Sequence, residues 1–160
     1  ALFLIFVSFS FLNVYLFKRT TTTGKISSPH GTIYTYKQNA DNINNILSIL
    51  NNDENVNSTA LIYPEGMIIN FLSKNNIKSD DYYNSLLPLY LESMGEEKFQ
   101  KVLDEKNPKF IILTSQNTSD YYFNHICTNY AFNFCNQVEQ EYQQEATFNG
   151  DIAFKIYRKR

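Results

Sequence analysis

A chain of 160 residues with a formal net charge of −2 has room for one main hydrophobic core and carries no basic excess that would recruit nucleic acid. Two cysteines are too few for a disulfide scaffold, and with so few histidines no zinc-type spacing arises. Aromatic residues make up 16% of the chain, all Tyr and Phe, enough to fill a core and to line a membrane-facing rim.

The chain opens on an apolar run from Ala1 to Phe17, interrupted by Ser8, Ser10 and Asn13. A membrane-crossing helix needs about 20 apolar residues, and residues 1–17 cover about 25 Å at about 1.5 Å each. The run is read as the end of a transmembrane helix. A signal peptide would carry a basic stretch before it and a small-residue cleavage site after it. An amphipathic core helix would carry a polar stripe. Lys18 and Arg19 mark the water boundary. Residues 18–35, rich in Thr, Ser and Lys with Pro29, read as a linker, and residues 36–160 as a soluble α/β domain.

Ala40, Ile43, Ile46, Leu47 and Leu50 recur at helical spacing and predict a helix from about Tyr36 to Leu50. Thr59 to Tyr63, closed by Pro64, suits a buried strand. A second helix is expected from Met67 to Lys74, then an irregular Tyr-rich stretch from Asp80 to Tyr90 with a short helical turn. Glu96 to Lys106 reads as a helix with Phe99, Val102 and Leu103 inward. Lys109 to Thr114 is the clearest strand. This order of elements predicts parallel pairing of the two strands through a right-handed crossover. A helix is expected over Asp120 to Cys127.

Cys127 and Cys135 are read as separate buried thiols. On one continuous helix they would stand about 12 Å apart, against the roughly 7 Å a disulfide tolerates; a turn at Asn129 and Asn133 would permit a bond. Tyr142 to Phe148 and Asp151 to Arg158 read as a closing hairpin, with Asn149-Gly150 as a positive-φ turn and one buried face of Ile152, Phe154 and Ile156. The expected fold is α/β: a small, mainly parallel sheet with helices packed on it and a C-terminal β-hairpin, preceded by a partial transmembrane helix.

Pro64-Glu65-Gly66 places a carboxylate at a strand's carboxyl end, where ligands collect in open α/β sheets. The competing reading is a helix-capping acid. Thr118-Ser119-Asp120-Tyr121 has the same placement after the second strand, with Ser119 or Asp120 as a possible cap. Glu65 and Asp120 are also the one pair that a two-carboxylate hydrolase could use. Asn57-Ser58-Thr59 and Asn117-Thr118-Ser119 match the N-glycosylation pattern. No nucleophile elbow, phosphate loop or dinucleotide fingerprint is present, so no catalytic residue, metal or cofactor is assigned.

These residues form part of a longer series. Pro64-Glu65-Gly66 is followed by Asn70-Phe71, Leu87-Pro88, Gly95-Glu96, Pro108 to Ile112 and Thr118 to Tyr121. Asn129-Tyr130, Tyr142 and the terminal Ile156 to Arg160 complete it. In this order behind an apolar run, the chain resembles the C-terminal soluble domain of multi-spanning membrane glycosyltransferases. The family is that of the dolichyl-phosphate-mannose-protein mannosyltransferase-like enzymes, with bacterial members related to the aminoarabinose transferases. There are departures. The family commonly has Glu where Asp120 stands, Gly after the Tyr at 121, and Asp-Tyr-Gly near Asn129-Tyr130-Ala131, so two glycines are missing.

The resemblance implies an integral membrane enzyme that moves a sugar from a polyprenyl-phosphate donor to an acceptor outside the cytoplasm. The catalytic acids of such enzymes lie near the first spans, which this sequence does not contain. The domain would cap the active site or help to bind the acceptor, with Glu65, Asn70, Asp120, Tyr121 and Tyr130 as ligand-binding candidates. Its partners would be the lipid bilayer, the N-terminal membrane region of the same protein, and the polyprenyl-phosphate sugar or acceptor, with no nucleic acid. Lys18, Arg19 and Lys25 favour a cytoplasmic side by the positive-inside rule, but preceding spans orient the last one, and the domain is expected at the cell membrane facing outward. The alternative of a different class is a membrane-anchored extracytoplasmic ligand-binding module without catalysis.

Overall fold

The computed structural model describes residues 7–14, 16, 24–55, 58–73 and 88–160. Residues 7–14 form helix α1, whose Phe9, Phe11, Leu12 and Val14 are exposed, Phe11 at 74%. Among the described residues no helix is long and apolar enough to cross a membrane. Residues 1–6, 15 and 17 of the expected span lie outside the described residues.

The stretch read as a linker carries an antiparallel hairpin, β1 (Gly24–Ser28) with β2 (Gly31–Thr35). Ile26, Thr32, Ile33 and Thr35 are β-branched and suit a strand, and Ile26 is buried in one cluster with Ala40, Ile46 and Leu50 of α2 (Lys37–Leu50). A Cβ at Gly24 would lie 2.5 Å from the Ala40 Cβ, so glycine is what lets β1 approach the helix. The Asn44 amide fastens the two, donating from Nδ2 to the Lys25 carbonyl at 2.8 Å.

The main sheet has the order β3-β4-β6-β5, built from β3 (Ala60–Tyr63), β4 (Phe110–Thr114), β5 (Tyr142–Phe148) and β6 (Phe154–Lys159). β3 and β4 are parallel, as expected, while β6 runs antiparallel to both β4 and β5. The sheet is therefore mixed rather than mainly parallel, because the C-terminal hairpin docks through its second strand. Every residue of β3 and β4 is buried, as a strand covered on both faces requires. On one face Ala60, Ile62, Phe110, Ile112 and Ile156 pack with α2 and with α3 (Met67–Leu72). On the other, Leu61, Tyr63, Ile111, Leu113 and Tyr157 pack with α5 (Glu96–Lys106) and α6 (Phe132–Glu141). Tyr157, which alternates with the expected buried face of Ile152, Phe154 and Ile156, is thus also buried, with Leu103 and Val138.

Residues 74–87, which include Lys74 and most of the Tyr-rich stretch, lie outside the described residues. Pro88–Met94 is a regular helix, α4, rather than irregular chain; proline suits a first turn, where its missing N–H needs no partner. Gly95, at φ 77°, turns α4 into α5 and donates its N–H to the Leu91 carbonyl at 2.9 Å. Phe99 and Leu103 of α5 are buried, as their spacing predicted.

The helix expected over Asp120 to Cys127 is a single 3-10 turn, Ser119–Tyr121, ended by Tyr122 in the left-handed conformation. The helix lies further on, at α6. Its start at Ala131 has no side-chain cap of its own; instead Glu96 of α5 accepts from the Phe134 N–H at 2.7 Å. A cap supplied by another element is invisible to local sequence rules.

Cys127 and Cys135 are joined by a disulfide, with Cα atoms 5.6 Å apart, correcting the reading as separate thiols. The chain reverses between them at Ala131, φ 60°, so the spacing of a continuous helix does not apply. Closing so short a loop limits the unfolded chain by about 2.5 kcal/mol. The Cys127→Ser/Cys135→Ser variant is expected to lose about that much stability in urea unfolding; an unchanged midpoint would refute the bond's contribution.

The closing hairpin is present, but Gly150 does not adopt positive φ and the connection spans residues 149–153. The Asn149 carbonyl accepts from Gln38 Nε2 at 3.2 Å and Asn42 Nδ2 at 3.1 Å, which anchors the loop on α2. The exposed edge strand β5 is interrupted between Gln144 and Ala146, and Glu145 there forms a two-point ion pair with Arg158. A bulge and charges at an edge discourage pairing with another chain.

Three tyrosines support a pH prediction. Burial raises the phenols of Tyr142, Tyr130 and Tyr157 above their ordinary value of 10.0, and Tyr142 also donates to the Pro108 carbonyl at 3.0 Å. The fold holds the neutral phenol, whereas the unfolded chain ionises near its ordinary value. Their contribution is therefore complete below about pH 10 and is lost as the pH rises above it. Base titration followed by phenolate absorbance and circular dichroism is expected to show these phenols ionising together with unfolding. Smooth titration with the fold intact would contradict this.

Candidate functional site

The parallel strands end together, Tyr63 pairing with Leu113. β3 leaves through a cis Tyr63–Pro64 peptide into Glu65-Gly66, and β4 leaves through Thr114 into Ser115 and Gln116. Phe154 of β6 pairs with Thr114 at the same edge. A cleft of ≈ 620 Å³ opens there, lined by Glu65, Gln116, Thr114 and Phe154 with Ile43, Ile68, Ile69, Ile152 and Tyr90. Its position is the one that open α/β sheets favour for ligands, and its size lies within the range of small-molecule sites.

Among the described residues that line this cleft, Glu65 is the acid. Gln116 Nε2 donates to Glu65 Oε2 at 2.8 Å, so the carboxylate turns toward the neighbouring strand's exit. The helix-cap reading of Glu65 fails, since the residue at the α3 cap is Gly66 and no side chain caps it. Gly66 is required by a close approach. A Cβ on it would overlap the Ile62 Cβ and Cγ2 and come within 2.9 Å of the Ile62 carbonyl oxygen. No described Lys or Arg forms an ion pair with Glu65 or lines the cleft.

Tyr130 lies in the segment that closes over the exit of β4. It is buried, packs edge-on against Phe123 at 6.0 Å between centroids, and shares a hydrogen bond with Thr118 Oγ1 at 3.3 Å. Burial raises its phenol, the Glu65 charge raises it further, and the Thr118 bond opposes the rise. Thr118 is itself buried and donates to the Phe123 carbonyl at 2.8 Å. Thr118 and Tyr130 thus tie the segment after β4 to the disulfide-closed loop that begins at Cys127, and neither lines the cleft.

The other three candidates stand apart. Asn70 lies on α3, with its N–H bonded to the Gly66 carbonyl at 3.1 Å, and does not line the cleft. Asp120 is exposed on the 3-10 turn, and Tyr121 beside it is half-buried. Neither lines the cleft, so the Glu65–Asp120 pairing that a carboxylate hydrolase would need is not formed there. Gln116 was missed by sequence reasoning, although it stands two residues past the end of β4 as Glu65 stands two residues past the end of β3. The rule that pointed to Glu65 would have found it. The isoleucines gave no signal, because apolar residues at helical spacing read as core.

Of the two glycosylation patterns, Asn57 lies outside the described residues, and Asn117 is exposed with its Oδ1 accepting from the Ser119 N–H at 2.8 Å. A smaller cavity of ≈ 260 Å³ opens on the other face of the sheet beside His125, Cys127 and Tyr157. Among the described residues no group of three or more His, Cys, Asp or Glu could hold a metal ion. Comparison with protein-family models, with curated proteins and with solved structures returns no match for this chain.

Proposed function

We propose that this chain is the C-terminal, extracytoplasmic domain of an integral membrane glycosyltransferase that uses a polyprenyl-phosphate sugar donor, and that its cleft at Glu65 helps to bind the acceptor. The observation that carries this reading is the backbone at Tyr122 and Ala131, with φ of 71° and 60°. In the resembled family a glycine follows the Tyr at 121 and another stands near Ala131, and the left-handed conformation is the one glycine serves best. The backbone conformation that glycine would serve is therefore present at both places in this chain, although the residues are Tyr and Ala. Three further features agree with it. A disulfide persists in oxidising compartments, which favours the outside of the cell. The exposed aromatic and aliphatic residues of α1 suit a segment surrounded by lipid. The cleft has the place and size expected of a ligand site.

The transfer chemistry belongs to residues upstream of Ala1 in this reading. Residues 18–160 alone are expected to turn over no polyprenyl-phosphate sugar, and the complete gene product in membranes is expected to do so. Turnover by the fragment would refute the division of labour. A start codon a few residues upstream of Ala1 would refute the glycosyltransferase itself and leave the anchored binding module.

A further inference from the structure

The chemistry lining the cleft is specific enough to choose among ligands. Its walls are largely aliphatic, with Ile43, Ile68, Ile69 and Ile152 along them and Tyr90 beside them. Polar atoms gather at one place. The Glu65 carboxylate is bonded to the Gln116 amide, and the Gln116 N–H lies 3.4 Å from Thr114 Oγ1. Glu65 Oε2 is occupied by Gln116, which leaves Oε1 to accept and the second Nε2 hydrogen of Gln116 to donate. Such a mixed set of acceptors and donors matches hydroxyl groups, which do both. An ammonium group would make a charge-assisted bond to the Glu65 carboxylate but, having only donors, would leave the second Gln116 hydrogen to water, whereas a polyol meets both groups. A phosphate would face the carboxylate charge, with no described Lys or Arg lining the cleft to offset it.

We infer that the cleft binds a neutral amphiphile, a sugar or other polyol head bonded to Glu65 and Gln116 with an aliphatic chain lying along the isoleucines, and that it discriminates against phosphate-headed lipids. This deepens the acceptor-binding reading above, on which the word acceptor rests; the binding preference itself belongs to this chain. The donor's phosphate would then be held elsewhere in the enzyme, and this cleft would hold the lipid-linked hydroxyl compound that receives the sugar.

The four wall isoleucines make the test direct. The full chain, labelled at isoleucine δ1 methyl groups, is titrated with octyl glucoside, octyl phosphate and octylammonium below their micelle concentrations. Octyl glucoside is expected to give saturable shifts at Ile43, Ile68, Ile69 and Ile152, leaving the core residue Ile111 unmoved. Octyl phosphate should bind about tenfold more weakly, and Glu65→Ala should weaken the glucoside about tenfold, whereas Glu65→Gln, which still accepts hydrogen bonds, should stay within about threefold. Gln116→Ala repeats the test should Glu65→Ala fail to fold. Octyl phosphate or octylammonium binding as tightly as the glucoside overturns the proposal, as do shifts that spread over all isoleucines without saturating. If the phosphate binds best while the intact gene product still transfers sugar, the ligand class falls and the glycosyltransferase reading stands.

Discussion

Phe134→Ala is expected to remove about 3–5 kcal/mol of stability, the range for deleting a fully buried aromatic ring. Phe134 has no exposed surface and meets Tyr63 edge to face, with centroids 5.3 Å apart and planes at 90°. That contact joins α6 to the carboxyl end of β3. The ring cannot be replaced by relaxation, because Glu96 holds the Phe134 N–H and the disulfide fixes Cys135 beside it. Urea unfolding of the full chain followed by circular dichroism measures the loss. A cost below about 1 kcal/mol would mean that the site collapses freely around the cavity, contrary to the packing described.

Gly66→Ala is expected to cost about 1–3 kcal/mol or more, as inserting a methyl group into filled space does. The new Cβ would overlap the Ile62 Cβ, an atom next to the backbone that no rotamer change can move. Either α3 must withdraw from β3, or Ile62 must shift within the buried cluster it shares with Ile69 and Phe154. Withdrawal of α3 would carry Glu65, which stands at its entry, away from Gln116, so ligand binding at the cleft should fall together with stability. Gly95→Ala is the matched comparison. Its Cβ would meet nothing within 4 Å, but its φ of 77° and ψ of 148° penalise a side chain, at about 1–3 kcal/mol. It should therefore lower stability and leave the cleft's affinity as it was. Equal behaviour of the two variants would contradict the close approach at Gly66.

Much of the framework was legible because it depends on local pattern. α2, β3, α5, β4 and the closing hairpin follow from apolar spacing and from breakers such as Pro64 and Asn107-Pro108. Glu65 was legible because strand exits in α/β sheets are ligand positions. What escaped depends on tertiary partners. Asn44 and Ala40 turn a Thr- and Lys-rich stretch into a docked hairpin, and Glu96 caps α6 from a different helix. The disulfide was misjudged because a continuous helix was assumed where Ala131 reverses the chain. Asp120 was grouped with Glu65 by sheet direction, but a 3-10 turn after an extended exit leaves it on the surface. Several asparagines hold loops in place through their amides, as Asn55 does at the Ile49 carbonyl, which no local pattern announces.

The central claim is that the cleft at Glu65 serves acceptor binding in a membrane glycosyltransferase. Its most direct test is steady-state sugar transfer by the intact membrane protein carrying Glu65→Ala, with acceptor and donor varied separately. Loss of a binding contact that is equal in ground and transition states is expected to raise the acceptor KM about tenfold while leaving kcat and the donor KM nearly unchanged. An unchanged acceptor KM, or a fall in kcat alone, would contradict the account.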